Sequence, residues 1–265
     1  MTLDRRSFLK SALLTSFSLA LPPSIGKLWA GQSDSLRLGL ITDLHRDIIH
    51  DSDLRLQTFL EEVNRAEVHA KIQLGDFAIP KPANAPFIAA FNQGKIPAYH
   101  VLGNHDLDEG YSKEQAIQAF GMPSAYYAEV IQGVRILVLD GNDSGSPTTK
   151  GGYASYIGKE QQDWLNQQLE ESKEPVIVIS HQPIAGIYTI DNAVEIQNLL
   201  SVHASKIILA INGHAHVDQL IQVAGVTYLH LNSASYYWVG EKHAHLSMDA
   251  DTHANYPSLA STCPY

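Results

Sequence analysis

Cysteine is nearly absent from this chain of 265 residues, since Cys263 is the only one. An internal disulfide and a metal cluster held by cysteines are therefore both excluded. Basic residues are also scarce, with 18 Lys and Arg against 28 Asp and Glu and a net charge of −10. Neither a nucleic-acid-binding surface nor a polybasic membrane-binding surface is expected from such a chain.

Long apolar runs are lacking as well. The modest apolar stretch of residues 11–21 is too short to span a bilayer, so no transmembrane anchor is expected. It follows the twin arginines Arg5 and Arg6, and these features together resemble a twin-arginine export signal. We expect the twin-arginine machinery to export the chain to the periplasm or the medium, with residues 1–30 removed. Loss of four basic residues and one acidic residue would take the net charge from −10 to about −13. The alternative is a disordered basic tail.

The remaining residues, 31–265, are long enough to bury a full core as one domain. The predicted helices cover 51–68, 86–92, 112–120, 159–169 and 191–200, and the predicted hairpins cover 126–139 and 220–231. Strands that alternate with helices indicate an α/β fold. Two long irregular segments, 77–97 and 142–158, are either binding loops or plain surface connections.

Five apolar runs of the chain each stop at Asp, Asn or His, often across a glycine. They are 38–42 before Asp43 and His45, 70–74 before Asp76, 99–102 before Asn104 and His105, 176–180 before His181, and 207–212 before His214 and His216. Apolar runs of this length predict buried strands. A parallel sheet gathers chemistry just past the carboxyl ends of its strands. The repeated pattern therefore predicts one site at one edge of a sheet.

The side chains at these strand ends suit a metal. Carboxylate, amide oxygen and imidazole together favour Mn, Fe, Co, Ni or Zn over Ca or Mg alone. Asp43 and His45 are two residues apart, as are His214 and His216, and in an extended segment that spacing places both side chains on one face. The donors outnumber the three or four that one zinc needs, which fits two metal ions sharing a carboxylate.

The order of these blocks, from Asp43-x-His45 and Gly75-Asp76 through Gly103-Asn104-His105-Asp106 and His181 to Gly213-His214-x-His216, resembles the calcineurin-like metallophosphoesterases. The resemblance runs from about residue 38 to residue 216. It implies a four-layer αββα sandwich of two mixed sheets flanked by helices. It also implies a dinuclear metal site that hydrolyses phosphate esters of small molecules.

The resemblance also implies roles for single residues. Asp43, His45 and His216 would hold the first metal, Asn104, His181 and His214 the second, and Asp76 would bridge both. A hydroxide between the metals would attack phosphorus in line. His105 would bind a phosphoryl oxygen and protonate the leaving alcohol, and Asp106 would orient His105.

Several questions stay open at this point. The substrate is a phosphate monoester, a diester or a nucleotide-type diphosphate, and a non-catalytic scaffold of the same fold is the remaining alternative. Residues 77–80 depart from the polar continuation found in many cyclic-nucleotide phosphodiesterase relatives. The aromatic residues within 232–238 either line a pocket or pack a hairpin. His243 and His245 are interpreted as a solvent-facing pair, and no closing strand or helix is evident before Cys263.

Overall fold

Two large β-sheets, a short two-stranded sheet and five α-helices make up the residues that the computed structural model describes, which are 35–149, 151–238 and 259–261. The strands are β1 (Leu38–Ile41), β2 (Ala70–Gln73), β3 (Ala98–His100), β4 (Tyr127–Ile131), β5 (Val134–Val138), β6 (Val176–Ile179), β7 (Ile207–Asn212), β8 (Gln219–Val223), β9 (Val226–His230), β10 (Tyr236–Trp238) and β11 (Leu259–Ser261). The helices are α1 (Ser52–Arg65), α2 (Ala85–Asn92), α3 (Lys113–Phe120), α4 (Lys159–Glu171) and α5 (Ala193–Val202).

The first sheet has the order β1-β2-β3 and the second has the order β4-β5-β6-β7-β9-β8. Neighbouring strands β5, β6, β7 and β9 are parallel, while β4 and β8 add antiparallel edges. The predicted α/β sandwich of two sheets flanked by helices is confirmed. Within the described strands only the larger sheet is mixed, because β1, β2 and β3 are parallel throughout.

Strands β5 and β6 show why the layers form. Ile136 and Ile177 point to the core between the two sheets, whereas the adjacent Leu137 and Val178 point to the outer core under α4 and α5. Successive residues of a strand face opposite sides, so an unbroken apolar run supplies both cores. Leu165 of α4 is fully buried in the outer core, and truncating such a side chain to alanine costs about 2–5 kcal/mol of stability.

Local signals in the sequence account for several boundaries. Ser112 and Gln115 exchange side-chain and backbone hydrogen bonds in a capping box at the start of α3. The two predicted hairpins form, with Gln132-Gly133 and Ala224-Gly225 as their turns. All four turn residues have positive φ, as a two-residue turn that matches strand twist requires.

Some predictions concern residues outside the described part of the chain, namely the export signal in 1–30 and the pair His243 and His245. The expectation that no strand closes the chain was wrong, since Leu259–Ser261 pairs antiparallel with Tyr236–Trp238. Among the described helices, none has the length and apolar character needed to cross a membrane.

Candidate metal centre

The predicted donors meet where the two sheets present the carboxyl ends of their parallel strands. Asp43, Asp76 and Asn104 follow β1, β2 and β3 of the first sheet. His181 follows β6 of the second sheet, and the loop after β7 carries the last two histidines. The site therefore lies between two sheets, and the expectation of one edge of a single sheet was wrong.

One group of donors consists of Asp43, His45 and His216, all of them buried. The Nε2 atoms of His45 and His216 lie 3.3 Å apart, and His216 Nε2 lies 3.2 Å from Asp43 Oδ1. One ligand atom from each residue falls within 4.8 Å of the others. The three side chains could hold one metal ion together.

The second group consists of Asp76, His181 and His214. His181 Nε2 lies 3.1 Å from Asp76 Oδ2 and 3.2 Å from His214 Nδ1. The same Asp76 oxygen lies 3.7 Å from His45 Nε2, which belongs to the first group. Asp76 thus stands between the two groups, where the resemblance placed a bridging carboxylate.

Asn104 supplies an independent sign that a cation belongs here. Its side-chain oxygen is buried and has no hydrogen-bond partner among the described residues. Leaving a buried polar atom unsatisfied costs roughly 1–3 kcal/mol, so such an atom needs an explanation. The next residue, His105, donates its backbone N–H to Asp76 Oδ1 (2.8 Å), so Asn104 lies in a loop that contacts the second group. An amide oxygen in that loop suits a first-row transition metal.

The backbone at the site is strained. Five of the seven predicted ligands have positive φ although none is glycine: Asp43 (52°), His45 (47°), Asp76 (51°), His214 (64°) and His216 (52°). Each such residue costs of order 1–3 kcal/mol and persists only where the surrounding structure imposes it. Strain concentrated on the donors is typical of a functional site.

Glycines before the donors allow the loops to approach one another. A Cβ atom on Gly103 would lie 2.1 Å from the backbone nitrogen of Asp76, and one on Gly213 would lie 1.9 Å from Thr42 Oγ1. Any other residue would push these loops apart. The glycines that mark the ends of the apolar runs are therefore part of the site.

The two central carboxylates are kept ionised by their neighbours. Burial disfavours the charged form of Asp43, but the imidazoles around it, led by His216, outweigh burial and lower its pKa. The pKa of Asp76 is likewise held well below its usual range, because His181 and other imidazoles outweigh burial. Two negative charges thus face the place where cations would bind.

The histidines fall into two electrostatic classes. Burial lowers the pKa of His45 to about 3 and that of His214 to about 4. These imidazoles are neutral at pH 7 and keep a lone pair for a metal. For His181, burial is outweighed by the carboxylates of Asp76 and Asp43, which raise its pKa to about 9.

Hydrogen bonds outside the donor groups fix their orientation. His181 donates from Nδ1 to the carbonyl of Leu74 (2.8 Å), which leaves Nε2 directed at the site. Ser233 Oγ (2.9 Å) and Ser235 Oγ (2.5 Å) both donate to the backbone carbonyl of Asp43. Sequence reasoning missed both serines, because their contact with Asp43 joins residues about 190 positions apart and leaves no local pattern.

His105 and Asp106 do not interact as predicted. Asp106 is fully buried and accepts backbone N–H bonds from residues 76, 77, 78 and 103. His105 instead places Nδ1 2.7 Å from Asp108 Oδ2, and the Tyr153 hydroxyl donates to Asp108 Oδ1 (2.8 Å). The carboxylate that contacts the His105 ring is therefore Asp108, and the three-residue spacing between them was the available signal.

An open cleft with a volume of about 250 Å³ lies over the donors. It is lined by His45, Asp76, His105, Tyr188, His214, His216 and Tyr236. Tyr236 is buried, with its ring centroid 4.9 Å from that of His45 and 4.6 Å from that of His216. The aromatic residues within 232–238 were expected either to line a pocket or to pack a hairpin. Tyr236 lines the cleft and packs against His45 and His216.

The fold and the two donor groups together define a candidate metalloenzyme whose site lies between the sheets of an αββα sandwich. The family model for calcineurin-like phosphoesterases matches residues 36–218, so the chain belongs to that family. The match contains all seven predicted ligands and His105.

One curated relative and two solved structures are similar to this chain. The chain is 27% identical over 217 residues to a probable cyclic nucleotide phosphodiesterase of Synechococcus sp., covering 75% of this chain and 80% of that protein. Among solved structures it is similar to a dimetal phosphatase from Danio rerio, with a TM-score of 0.62, 18% identity, and coverage of 75% and 88% of the two chains. It is also similar to GAP50, the anchor in the inner membrane complex of Plasmodium, with a TM-score of 0.59, 18% identity, and coverage of 76% and 72%.

Proposed function

We propose that this chain is a metal-dependent phosphoesterase that hydrolyses phosphate mono- or diesters at a dinuclear centre. The observation that carries the proposal is the position of Asp76, whose Oδ2 lies 3.1 Å from His181 and 3.7 Å from His45. A single carboxylate within reach of both donor groups is what two closely spaced ions require.

In this proposal Asp43, His45 and His216 would hold one ion, Asn104, His181 and His214 would hold the other, and Asp76 would be shared between them. The ions, drawn from Mn, Fe, Zn, Co and Ni, supply Lewis acidity and an activated water when bound. Burial keeps His45 and His214 neutral, whereas His181, with its pKa raised to about 9, would have to release a proton when an ion binds. The strained loops hold the donors in place before any ion binds.

His105 is proposed to act on the leaving group. Its Nδ1 faces Asp108, so its other ring nitrogen is left for the substrate in the cleft that His105 lines. From there the ring can hold a phosphoryl oxygen and give a proton to the departing alcohol. Asp108, with the Tyr153 hydroxyl on its second oxygen, fixes the ring during that transfer.

The class of ester is the next question. The relative from Synechococcus, a probable cyclic nucleotide phosphodiesterase, favours a diester, and a monoester stays open. A nucleotide-type diphosphate is the alternative substrate. The residues after Asp76 do not decide the matter: Phe77 is buried, and the backbone N–H groups of Phe77 and Ala78 bind Asp106.

A panel of p-nitrophenyl phosphate, bis(p-nitrophenyl) phosphate and ADP-ribose, assayed with added Mn, tests the proposal. We expect turnover of at least one ester and its loss on chelation. Full activity in the presence of chelator would contradict a metal-dependent mechanism.

A non-catalytic scaffold is the second candidate, because GAP50 shares the fold and is named an anchor. The complete donor set and the presence of His105 favour the enzyme. A metal-loaded protein that is inert towards the whole panel would favour the scaffold.

We also propose that the chain is exported by the twin-arginine pathway, on the strength of Arg5 and Arg6. Replacing both by lysine keeps the charge and should leave unprocessed protein in the cytoplasm. Normal export of that variant would identify an ordinary secretory signal instead.

A further inference from the structure

Tyr188 is a large aromatic residue that the mechanism above does not use. It lines the cleft together with His105 and the donors, yet 68% of its surface is exposed. Its backbone has a φ of 51°, a region that bulky residues seldom adopt. The strained backbone costs stability, so its persistence beside the site calls for a functional explanation.

The position of Tyr188 connects it with the metal centre. Among described non-glycine residues, positive φ occurs at four of the donors in its cleft, at the hairpin turns Gln132 and Ala224, and in turns at Glu67 and Glu109. Tyr188 lines the same cleft as the strained donors His45, Asp76, His214 and His216. Its place in the cleft, together with its strained backbone, groups it with the site.

The loop that carries Tyr188 is held at several points. The ring nitrogen His230 Nε2 donates to the carbonyl of Ala185 (2.8 Å), Gln197 Nε2 donates to that of Ile184 (2.7 Å), and the Ile190 N–H donates to that of Pro183 (3.0 Å). These bonds lie on both sides of Tyr188. The ring therefore projects from a fixed base, which lowers the entropy lost on binding.

The other two tyrosines near the site are already engaged. Tyr236 is buried against His45 and His216, and Tyr153 bonds to Asp108 and packs on His105 with a centroid distance of 4.9 Å. Of the aromatic residues that line the described cleft, Tyr188 is the one with an exposed ring.

We infer that Tyr188 is a stacking platform for a planar aromatic group of the substrate, such as a nucleobase, while the phosphate lies on the metal centre. This inference rests on the proposed phosphoesterase function and narrows it to esters that carry a planar ring. The chain has a net charge of −10, so its overall field opposes an anionic substrate. Stacking adds affinity that does not depend on charge, typically about 1–3 kcal/mol per base.

The test compares two non-hydrolysable ligands that differ only in the base. They are the phosphonate analogues of AMP and of ribose 5-phosphate, in which a P–C bond replaces the P–O bond that would be cleaved. Binding to Mn-loaded wild type, Tyr188→Ala and Tyr188→Phe is measured by calorimetry. Leu54→Ala is the matched control, since Leu54 is 59% exposed on α1 and does not line the cleft.

We expect the adenosine phosphonate to bind wild type more tightly than the ribose phosphonate, and Tyr188→Ala to weaken it by roughly 5- to 150-fold. Ribose phosphonate binding should change little, Tyr188→Phe should retain the preference because it keeps the ring, and Leu54→Ala should behave as wild type.

Two failures can be told apart. If the ribose phosphonate binds but the base adds nothing, or Tyr188→Ala keeps the preference, the platform is wrong and the phosphoesterase proposal stands. If neither phosphonate binds the Mn-loaded wild type, the platform for a monoester fails, while the phosphoesterase proposal fails only if the panel of esters above is also left intact.

Discussion

Four buried aspartates follow strands of this fold, and they form two contrasting pairs. Asp43 and Asp76 face imidazole nitrogens across the cleft. Asp106 faces four backbone N–H groups, and Asp140 faces Lys113 Nζ at 2.5 Å. Asp43 and Asp76 also accept hydrogen bonds from Thr42, His214 and His105, yet one oxygen of each faces imidazoles of the site. The same position after a strand thus produces ligands open to the site in one pair and acceptors occupied by fixed donors in the other.

The pKa values of the four aspartates differ between the same two pairs. Imidazoles outweigh burial and lower the pKa of Asp43 and Asp76. Burial, with the nearby charge of Asp76, raises the pKa of Asp106 to about 7, and burial raises that of Asp140 despite Lys113. A carboxylate that faces imidazoles can accept a cation when those imidazoles release their protons, whereas one surrounded by fixed donors serves the fold.

The largest expected effect comes from removing an open carboxylate. Asp76→Ala should release both ions and lower activity by more than the roughly 100-fold that loss of an outer-shell partner can cost. Asp106→Asn is the matched variant, and it should keep both ions while losing stability, because an amide NH₂ group would face backbone donors. Metal content and kcat/KM are measured for both variants, and urea unfolding reports the stability of Asp106→Asn. An Asp76→Ala protein with two ions and near-normal activity would remove the bridging assignment.

His105 separates catalysis from metal binding within the same loop. His105→Ala should keep both ions and lose roughly 10²–10⁴ in kcat, the range for a general acid. The loss should be greater for an alkoxide leaving group than for p-nitrophenolate, which departs without a proton. Loss of metal would make His105 a ligand, and equal losses for both leaving groups would indicate electrostatic stabilisation.

The pairing of Lys113 with buried Asp140 can be tested by measuring the free energy of unfolding. Lys113→Met leaves Asp140 buried without its cation and should lower the free energy of unfolding by roughly 3 kcal/mol. Lys81→Met is a matched control, because Lys81 has similar exposure and also contacts two carboxylates, but those carboxylates reach solvent. Its cost should stay within about 1 kcal/mol. Equal costs in urea unfolding would mean that burial of Asp140 carries no penalty.

The loss of unfolding free energy in Lys113→Met should also depend on pH. The folded-state pKa of Asp140 is raised above its ordinary value of 3.8, so the folded chain binds this proton more tightly than the unfolded chain. At pH values above the folded-state pKa of Asp140, its buried carboxylate is charged, and Lys113→Met loses the full stability difference. As pH falls through that pKa the carboxyl becomes neutral and the deficit shrinks. A deficit that grows on acidification would contradict this account.

A smaller effect is expected at Asp108, which faces an imidazole but lies outside the donor groups. Asp108→Asn should reduce kcat by roughly 10- to 100-fold with unchanged metal content, the usual effect of an outer-shell partner. In a His105→Ala background the same change should have no further effect, because Asp108 acts through His105. Additive losses in that double-mutant cycle would assign Asp108 a separate role.

The sequence was sufficient for features that depend on local pattern. Apolar runs predicted the strands, and residues after them, such as Asp76 and His181, are the ones that the structure brings together. The family resemblance and the distances agree on Asp43, His45 and His216 as one group and on His181 and His214 as members of the other. Their roles as ligands stay predictions.

Contacts between distant segments could not be predicted in this way. Asp106 was paired with His105 because they are adjacent, but the chain turns after Asn104 and directs Asp106 back to the loop after β2. Asp140 ends an apolar run just as Asp43 does. Only its three-dimensional neighbours, Lys113 above all, show that it is already satisfied.

The central claim is that two adjoining donor groups form one dinuclear centre. Elemental analysis of Mn-reconstituted, dialysed protein tests it most directly, with Asp76→Ala as the comparison. The account predicts about two transition-metal ions per wild-type chain and a clear loss from the variant. One ion or none in the reconstituted wild type would contradict it.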